Sequence, residues 1–279
     1  MCPEPLWPDQ VLAGGVYRTT YVSVTGSRSH LEGSHGDPEP RGADSALKPD
    51  ARSVTRSRGS PAAELARVAA RRARSFGAAS VAGLVLAAAD RGSEVSEADV
   101  RAALALDSGA AFLDADWFWL PGGRRSRLET LSRRMLAVAS PLDVVSMRAG
   151  ACRAFPRREA ELVPPAEVTG AFYDAHPAFV LDPPGQVRSV APLDWRTELG
   201  ETDRVFVEVL RSSWTGVLDH DSFRDACVAK GMTTRTFGVR TARSEVLDNP
   251  AADIWCLRGT RVSPITAAAL RHAKAVGEA

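Results

Sequence analysis

The chain contains few cysteines, and their spacing excludes the common zinc sites. Four cysteines occur in 279 residues, and none lies in a CxxC or CxxH pair. We interpret all four as reduced side chains that pack as small hydrophobes, and we predict no metal and no cofactor. They are Cys2, Cys152, Cys227 and Cys256.

The sequence also lacks long apolar runs and a leader peptide. No segment approaches the ~18 consecutive apolar residues that a membrane-spanning helix needs. The N-terminus has no basic stretch followed by an apolar one, as a secretory signal would. We therefore expect a cytoplasmic protein with no membrane partner.

Lysine is scarce, and the charge of the whole chain favours no particular partner. Only three of the 35 basic residues are lysines, and the formal net charge is +1. Residues 121–158, however, carry nine arginines against two acids, and 226–261 carry six basic residues against three acids. Between them, 159–225 carries thirteen acids against five arginines. Because a phosphate backbone responds to local patches of charge, the two basic segments are candidates for nucleic-acid binding.

Residues 1–60 differ in composition from the rest of the chain. From Gly26 to Ala62 the sequence is rich in serine, glycine, proline and arginine, and large apolar residues are almost absent. Such a stretch cannot bury enough apolar surface to offset the entropy lost on folding. We expect a disordered N-terminal arm, in which only 16–22 has strand propensity.

From residue 61 onward, one order of predicted elements occurs three times: three helices followed by a β-hairpin. Short polar residues stand where helices should begin, because their side chains can cap free backbone N–H groups. The predicted N-caps include Ser80, Ser96, Asp143, Asp219 and Thr233. Hairpins are predicted at 111–120 and 179–190, and a returning strand at 254–257.

Sequence similarity between two short segments supports this repetition. Ala115–Gly122 and Ala252–Gly259 are identical at four of eight positions, and both fall at the last predicted strand of a repeat. The sequence therefore predicts an α+β fold of tandem winged-helix modules. The predicted boundaries are 1–60 for the arm, 61–122, 123–195 and 199–262 for the modules, and 263–279 for a C-terminal tail.

The predicted third helix of the last module has the composition of a helix that reads DNA. Thr233–Ser244 contains no acid. On a helical wheel Thr233, Thr236, Arg240 and Arg243 share one side. Val239, Ala242 and Val246 share another side, which we expect to face the core. Arginine contacts phosphates or guanine edges, and threonine contacts phosphate or a thymine methyl group. The predicted DNA contacts are Thr233, Thr234, Arg235, Thr236, Arg240, Arg243, Ser244, Arg258 and Arg261.

The middle module carries its arginines mostly on the first and second predicted helices, and its third helix has none. These arginines predict a clamp on the phosphate backbone rather than a reader of bases. The predicted clamp consists of Arg124, Arg125, Arg127, Arg133 and Arg134. In the first module the third helix has Arg101 among several acids. We expect that module to be structural or to face a protein.

No set of residues predicts catalysis, so we do not expect an enzyme. His176 and His220 stand at predicted helix ends, where a local hydrogen bond is the ordinary role. Four tryptophans are able to stack on bases, but their strand and turn positions favour core packing. They are Trp117, Trp119, Trp214 and Trp255.

The last module and one upstream strand carry a family resemblance. The matching residues are Gly231–Met232, Thr236–Phe237, Trp255–Gly259 and Trp117–Pro121. At these positions the chain resembles bacterial sigma-factor-like helix-turn-helix DNA-binding proteins, which carry tandem winged helices of the RNA polymerase delta-subunit type. The resemblance covers about residues 62–262 and implies DNA binding in a transcriptional setting. The chain departs from that group by lacking its promoter-reading helix pair, and by having Gly238 and Arg240 where the group tends toward aromatics.

Two functions remain open from the sequence. The first is non-enzymatic binding of double-stranded DNA by the third helix of the last module, in transcription regulation at the nucleoid. The second is a protein-interaction adaptor that docks onto RNA polymerase or another protein, which the acidic segment 159–225 favours. We predict no small-molecule ligand for either function.

Overall fold

The computed structural model describes residues 61–90, 92–106, 109–122, 124–155, 162–266 and 268–269. The predicted N-terminal arm, with its strand propensity at 16–22, lies outside these residues, as does most of the predicted C-terminal tail. Within them the chain is mixed helix and strand, with three small antiparallel sheets, which confirms an α+β fold. No helix in this part of the chain is both long enough and apolar enough to cross a bilayer.

One order of elements occurs three times: helix, strand, helix, helix, strand, strand. The first group consists of α1 (Pro61–Phe76), β1 (Ala79–Ser80), α2 (Val81–Ala89), α3 (Glu97–Leu106), β2 (Ala111–Phe112) and β3 (Trp117–Trp119). The second consists of α4 (Arg127–Val138), β4 (Leu142–Asp143), α5 (Val144–Ala154), α6 (Ala166–Ala175), β5 (Phe179–Asp182) and β6 (Gln186–Ser189). After the short α7 (Trp195–Glu198), the third consists of α8 (Glu201–Ser212), β7 (Val217–Asp219), α9 (His220–Ala229), α10 (Thr234–Thr241), β8 (Leu247–Ala251) and β9 (Ile254–Leu257).

The three sheets share their strand order and their register. In each group the last strand lies in the middle and pairs antiparallel with both others. The residue that ends the first strand also caps the next helix, and it pairs with the first residue of the last strand. The pairs are Ser80 with Trp117, Asp143 with Gln186 and Asp219 with Ile254. One arrangement therefore fixes where each helix begins and where each hairpin returns.

Local side-chain chemistry explains where these helices begin. At each predicted cap, a side-chain oxygen accepts a backbone N–H from the first turn, which would otherwise have no partner. Asp143 Oδ1, for example, accepts the N–H of Ser146 at 2.8 Å. The caps confirmed in this way are Ser80, Ser96, Asp143, Asp219 and Thr233.

The two octets that resemble each other in sequence end in the same backbone conformation. Gly122 and Gly259 each follow the last strand of a group, with φ of 84° and 86°. Glycine adopts this left-handed conformation readily, whereas a residue with a Cβ atom is strained there. The shared glycine of the octets therefore marks a turn that the first and third groups have in common.

Neighbouring groups share their apolar cores. Trp119, at the end of β3, is buried in one cluster with Leu128 of α4 and Phe172 of α6. Val138, at the end of α4, is buried in another cluster with Trp195 and with Val209 of α8. The first group thus packs on the second, and the second on the third.

Candidate nucleic-acid interface

Helix α10 begins just after a glycine turn that ends α9. Gly231 has φ of 91°, and Thr233 Oγ1 then accepts the N–H of Thr236 at 3.1 Å. Thr233, Thr234 and Arg235 are exposed, whereas Thr236 is half-buried. Because a helix N-terminus has a positive partial charge and free N–H groups, this exposed first turn suits a phosphate.

Aromatic packing decides which face of α10 is buried. The Phe237 ring is 1% exposed and lies 5.2 Å from the ring of Phe223 and 6.1 Å from that of Phe206. Thr241, one turn later, is buried and donates its hydroxyl to Phe237 O at 2.7 Å. Val239, in contrast, is 53% exposed. The prediction that Val239 faces the core is therefore wrong, since Phe237 takes that place.

The outward face of α10 and the turn that follows it carry three exposed arginines, of which Arg243 lies in the turn, so the helix ends earlier than the predicted Thr233–Ser244. The side chains of Arg235 and Arg243 form no hydrogen bond or ion pair with any residue that the structure describes. Arg240 lies near one acid, with its Nη2 3.8 Å from Oδ2 of Asp203. A Cβ atom built on Gly238 would meet nothing within 4 Å. Two guanidinium groups are thus free to meet an anion across an open surface.

Asp203, which lies behind this face, also forms a hydrogen bond with Ser244. The Ser244 hydroxyl donates to Asp203 Oδ1 at 2.8 Å, and both residues are buried. The prediction that Ser244 contacts DNA is therefore wrong. Its hydroxyl stabilises a buried carboxylate on α8 and is not accessible to an external ligand.

Arg258, another predicted DNA contact, is buried between the second and third groups and is 3% exposed. Its Nε donates to Glu245 O and its Nη2 to Leu247 O, each at 2.7 Å, and its Nη1 donates to Ser146 O of α5 at 3.3 Å. Burial lowers the pKa of this guanidinium, which Asp248 partly opposes. The prediction for Arg258 is therefore wrong, because its donors are used between backbone carbonyls of two groups.

A second arginine, which is half-buried, crosses the same boundary. Arg153 of α5 donates from Nη2 to Thr241 O at the end of α10, at 2.8 Å, and its guanidinium lies 4.9 Å from the Trp255 ring. Burial, with the nearby charge of Arg258, lowers its pKa to about 10. At Gly150 of α5, a Cβ atom would lie 2.9 Å from a backbone oxygen of the third group. Helix α5 therefore packs directly against the group that carries α10.

The predicted phosphate clamp is mostly occupied by contacts within the protein. Arg133 and Arg125 both reach Glu198 of α7, with Arg125 Nη1 3.5 Å from Oε2. The hydrogen bond from Arg133 lowers the pKa of Glu198. Arg134 Nη1 lies 3.1 Å from Oε1 of Glu245, a residue of the third group.

The other two members of that clamp differ from each other. Arg127 Nη2 donates to Ala154 O at 3.1 Å, and its guanidinium lies 4.0 Å from the Phe155 ring. Arg124 is exposed, and its side chain has no partner among the described residues. The clamp is therefore corrected: Arg127, Arg133 and Arg134 hold helices and loops together, and Arg124 alone is free.

A basic stripe on α1 was not assigned a role from the sequence. Arg67, Arg71 and Arg74 are exposed, and spacings of four and three residues place them on one side of the helix. None of the three has a side-chain partner within the described part of the chain. The signal was present in the sequence, since Leu65 and Ala69 mark the opposite, buried side. Arg261, which follows β9, is also exposed and has no side-chain partner among the described residues.

The remaining aromatic predictions hold at most positions. Trp119 is buried, and Trp117 and Trp255 are half-buried, but Trp214 is fully exposed in the loop before β7, so the core prediction is wrong for it. His220 Nδ1 accepts the Trp255 Nε1–H at 3.2 Å. His176 Nδ1 accepts the backbone N–H of Ala178 at 3.2 Å, which confirms its predicted local hydrogen bond, whereas the bond of His220 joins residues 35 positions apart and is not local.

Two of the cysteines are buried thiols held in the protonated form. Cys227 and Cys256 are free and buried, and burial raises the pKa of each thiol to about 12. Cys152 is free and half-buried, and Cys2 lies outside the described residues. Among the residues that the structure describes, no cluster of three or more histidine, cysteine or acidic side chains is arranged to hold a metal ion.

Comparisons of the chain with protein-family models, with curated proteins and with solved structures find no significant match.

Proposed function

We propose that the chain is a tandem winged-helix protein that binds double-stranded DNA without catalysing a reaction and regulates transcription. The element order of each group and its strand order, with the last strand in the middle, support this fold. In a winged helix the third helix enters the major groove, and the hairpin forms the wing. Helix α10 is the third helix of the third group, and β8 and β9 are its hairpin.

The observation that carries the proposal is the free cationic surface formed by α10 and the turn after it. Arg235 and Arg243 are exposed and have no side-chain partner among the described residues, and α10 itself contains no acid. Arginines on a helix that are not paired internally are available to phosphate oxygens and to guanine O6 and N7. The exposed Val239 side chain suits contact with a thymine methyl group.

The dimensions of α10 suit the same role. Its eight residues span about 12 Å along the axis, at about 1.5 Å per residue. An α-helix with its side chains is about 10–12 Å across, and the major groove of B-DNA is about 12 Å wide, so a helix of this length can lie within the groove. Gly238 is exposed and has no side chain, and the space around it is open, which allows close approach to the edges of the bases.

The test is duplex-DNA binding by the full chain at several salt concentrations, measured by fluorescence anisotropy. The double variant Arg235→Ala with Arg243→Ala is expected to bind at least tenfold more weakly. Its slope of log K against log salt should fall by about 2, since each lost phosphate contact removes about 0.9.

A matched control removes the same charge elsewhere. Arg101→Ala with Arg188→Ala deletes two exposed arginines, each paired with an acid on its own group. This control is expected to keep both affinity and slope. Equal losses in the two double variants would show that only net charge matters, and unchanged affinity in the α10 variant would remove α10 from the interface.

The adaptor alternative has one observation in its favour. Trp214 is fully exposed at the surface, and exposed tryptophan is enriched at protein interfaces. If the chain docks onto RNA polymerase, Trp214→Ala should weaken binding to the purified polymerase at least tenfold and leave DNA affinity unchanged. Absence of any saturable polymerase binding would remove RNA polymerase as the partner of the adaptor.

A further inference from the structure

Positive charge that has no partner within the described chain lies beside the first group as well as the third. Some exposed arginines form a hydrogen bond or lie within 4.0 Å of an acid: Arg101, Arg125, Arg188, Arg196, Arg211 and Arg240. The other exposed arginines have no side-chain partner among the described residues: Arg67, Arg71, Arg74, Arg124, Arg235, Arg243 and Arg261. The last three lie in or directly after the third group, whereas the first four lie on α1 or between β3 and α4. Helix α10 therefore does not account for all of the free positive charge.

The basic stripe of α1 carries more charge than the acid of that helix can balance. Arg67, Arg71 and Arg74 are neighbours on one side of α1, because spacings of three and four residues bring side chains together. Helix α1 has four arginines and one acid, Glu64. Arg72 lies off the stripe, and its Nη1 donates to a backbone carbonyl of α2 at 3.0 Å. Since like charges at these spacings repel one another, an external anion along the stripe would stabilise the helix.

Arg124 extends this positive surface beyond α1. Arg74 and Arg124 line one cleft, which lies where the first group meets the second. The acid in the lining is Glu129, and its carboxylate lies 3.7 Å from Nε of Arg125 and 3.6 Å from Nε2 of His176. That carboxylate is therefore engaged by groups other than Arg74 and Arg124. We use the name α1 surface for Arg67, Arg71, Arg74 and Arg124.

The length of the stripe suits the phosphate backbone of DNA. From Arg67 to Arg74 the helix rises about 10 Å, at about 1.5 Å per residue. One strand of B-DNA carries a phosphate for about every 3.4 Å of helix axis, so about three phosphates lie within that length. A strand that follows α1 can therefore place one phosphate near each arginine of the stripe.

The surroundings of the stripe do not suit an anionic membrane. A helix that lies on a bilayer inserts its apolar face below the headgroups. The apolar side of α1, which includes Leu65 and Ala69, is packed instead with α2 and α3 in the core of the first group. From Leu65 onward, the exposed residues of α1 are the three arginines and Ser75. Arginine and serine both bond to phosphate oxygens, and such contacts hold a protein on the duplex without reading its sequence.

We propose that the α1 surface is a second DNA contact, which binds the phosphate backbone of the duplex and reads no bases. This contact rests on the DNA binding proposed for α10. It brings into the interface a group that we expected from the sequence to be structural or to face a protein. Helix α10 then supplies the contacts to bases, and the α1 surface adds affinity that falls as the salt concentration rises.

The test is fluorescence anisotropy of the full chain with labelled duplex DNA at several salt concentrations. The triple variant Arg67→Gln, Arg71→Gln and Arg74→Gln should bind roughly tenfold more weakly, by the same factor for duplexes of unrelated sequence. Its slope of log K against log salt should fall by about 2.7, since each lost phosphate contact removes about 0.9. Lysine at the same three positions keeps the charges and should keep the slope. Parent affinity in the glutamine variant, or equal losses with glutamine and lysine, would overturn the α1 surface.

A matched control removes three exposed arginines that each lie near an acid. They are changed by Arg101→Gln, Arg188→Gln and Arg196→Gln, and this control should keep both affinity and slope. Equal losses in the control and in the stripe variant would show that only net charge matters. Vesicles of phosphatidylserine and phosphatidylcholine test the other anionic surface. Vesicle binding that depends on the stripe, with DNA affinity unchanged by the stripe variant, would overturn the assignment to DNA.

The double variant Arg235→Ala with Arg243→Ala separates this contact from that of α10. Weaker binding in the α10 variant and parent affinity in the stripe variant would overturn the α1 surface alone. The reverse result would remove α10 and leave the α1 surface standing. When both contacts hold one duplex, the two reductions in slope should add in the combined variant, because the sites are separate. A parent chain that binds no duplex would overturn both contacts.

Discussion

Replacing Arg258 with methionine removes a guanidinium group whose three hydrogen bonds all end on backbone carbonyls, while the apolar stem of the side chain is kept. Two of these bonds lie within the third group at 2.7 Å, and one reaches Ser146 of α5 at 3.3 Å. Hydrogen bonds from a charged donor contribute roughly 1.5–3 kcal/mol each. Burial of the charge, which lowers the pKa of Arg258, offsets part of that sum.

We therefore expect Arg258→Met to lower the free energy of unfolding by about 3 kcal/mol. That is a large fraction of the roughly 5–15 kcal/mol by which folded domains are stable. The measurement is urea denaturation followed by far-UV circular dichroism, alongside DNA affinity in the absence of urea. Arg261→Met, three residues further on and exposed, should change stability by no more than about 0.5 kcal/mol.

The two readouts separate a structural role from a DNA contact. In the folded state, Arg258→Met should keep the DNA affinity of the parent chain, because the side chain is not accessible from outside. Wild-type stability combined with weaker DNA binding in Arg258→Met would refute this reasoning. It would also return Arg258 to the interface that was predicted from the sequence.

Two further perturbations test the packing and the helix caps. Gly150→Ala places a Cβ atom 2.7 Å from Arg258 Nε, and overpacking of this kind should lower the free energy of unfolding by about 1–3 kcal/mol in urea denaturation; unchanged stability would show that α5 shifts freely. Burial raises the pKa of Asp143, but hydrogen bonds from Ser146 outweigh it, so the pKa lies below that of an ordinary aspartate. This cap therefore contributes its full stability above the unfolded-state pKa, and the contribution is lost as the pH falls through the folded-state pKa. Asp143→Asn should flatten the acid side of a stability profile below about pH 5, and a profile identical to that of the parent would contradict the cap.

Features that depend on neighbouring residues were predictable from the sequence. A helix cap needs an oxygen and a backbone N–H two or three residues apart, and Ser80, Asp143 and Asp219 provide them. The returning strand Ile254–Leu257 was predictable for the same reason, since its apolar run is followed by a glycine turn. Strands β1, β4 and β7 were not, because two or three residues are too few to show an alternating pattern.

Features that depend on distant residues were not predictable. Arg258 and Ser146 are 112 positions apart, and nothing near Arg258 in the sequence shows that it donates a hydrogen bond to a carbonyl of α5. On α10 the wheel predicted that Val239 faces the core, whereas the buried side chain is Phe237. The choice between them is made by the rings of Phe206 and Phe223 on two other helices. The free arginines of α10 were predictable as a group, but the burial of Ser244 depends on Asp203 of α8.

The hydrogen bond from Arg153 to Thr241 O has a consequence for the thermodynamics of recognition. It anchors the C-terminal end of α10 to a helix of the second group, while Phe237 anchors the middle. A helix held at two points loses little conformational freedom when a ligand binds to its free face, so less entropy opposes association. Arg153→Met should therefore weaken binding mainly through a less favourable entropy, with the enthalpy of contact nearly unchanged. The second group therefore holds in place the end of a helix that belongs to the third group.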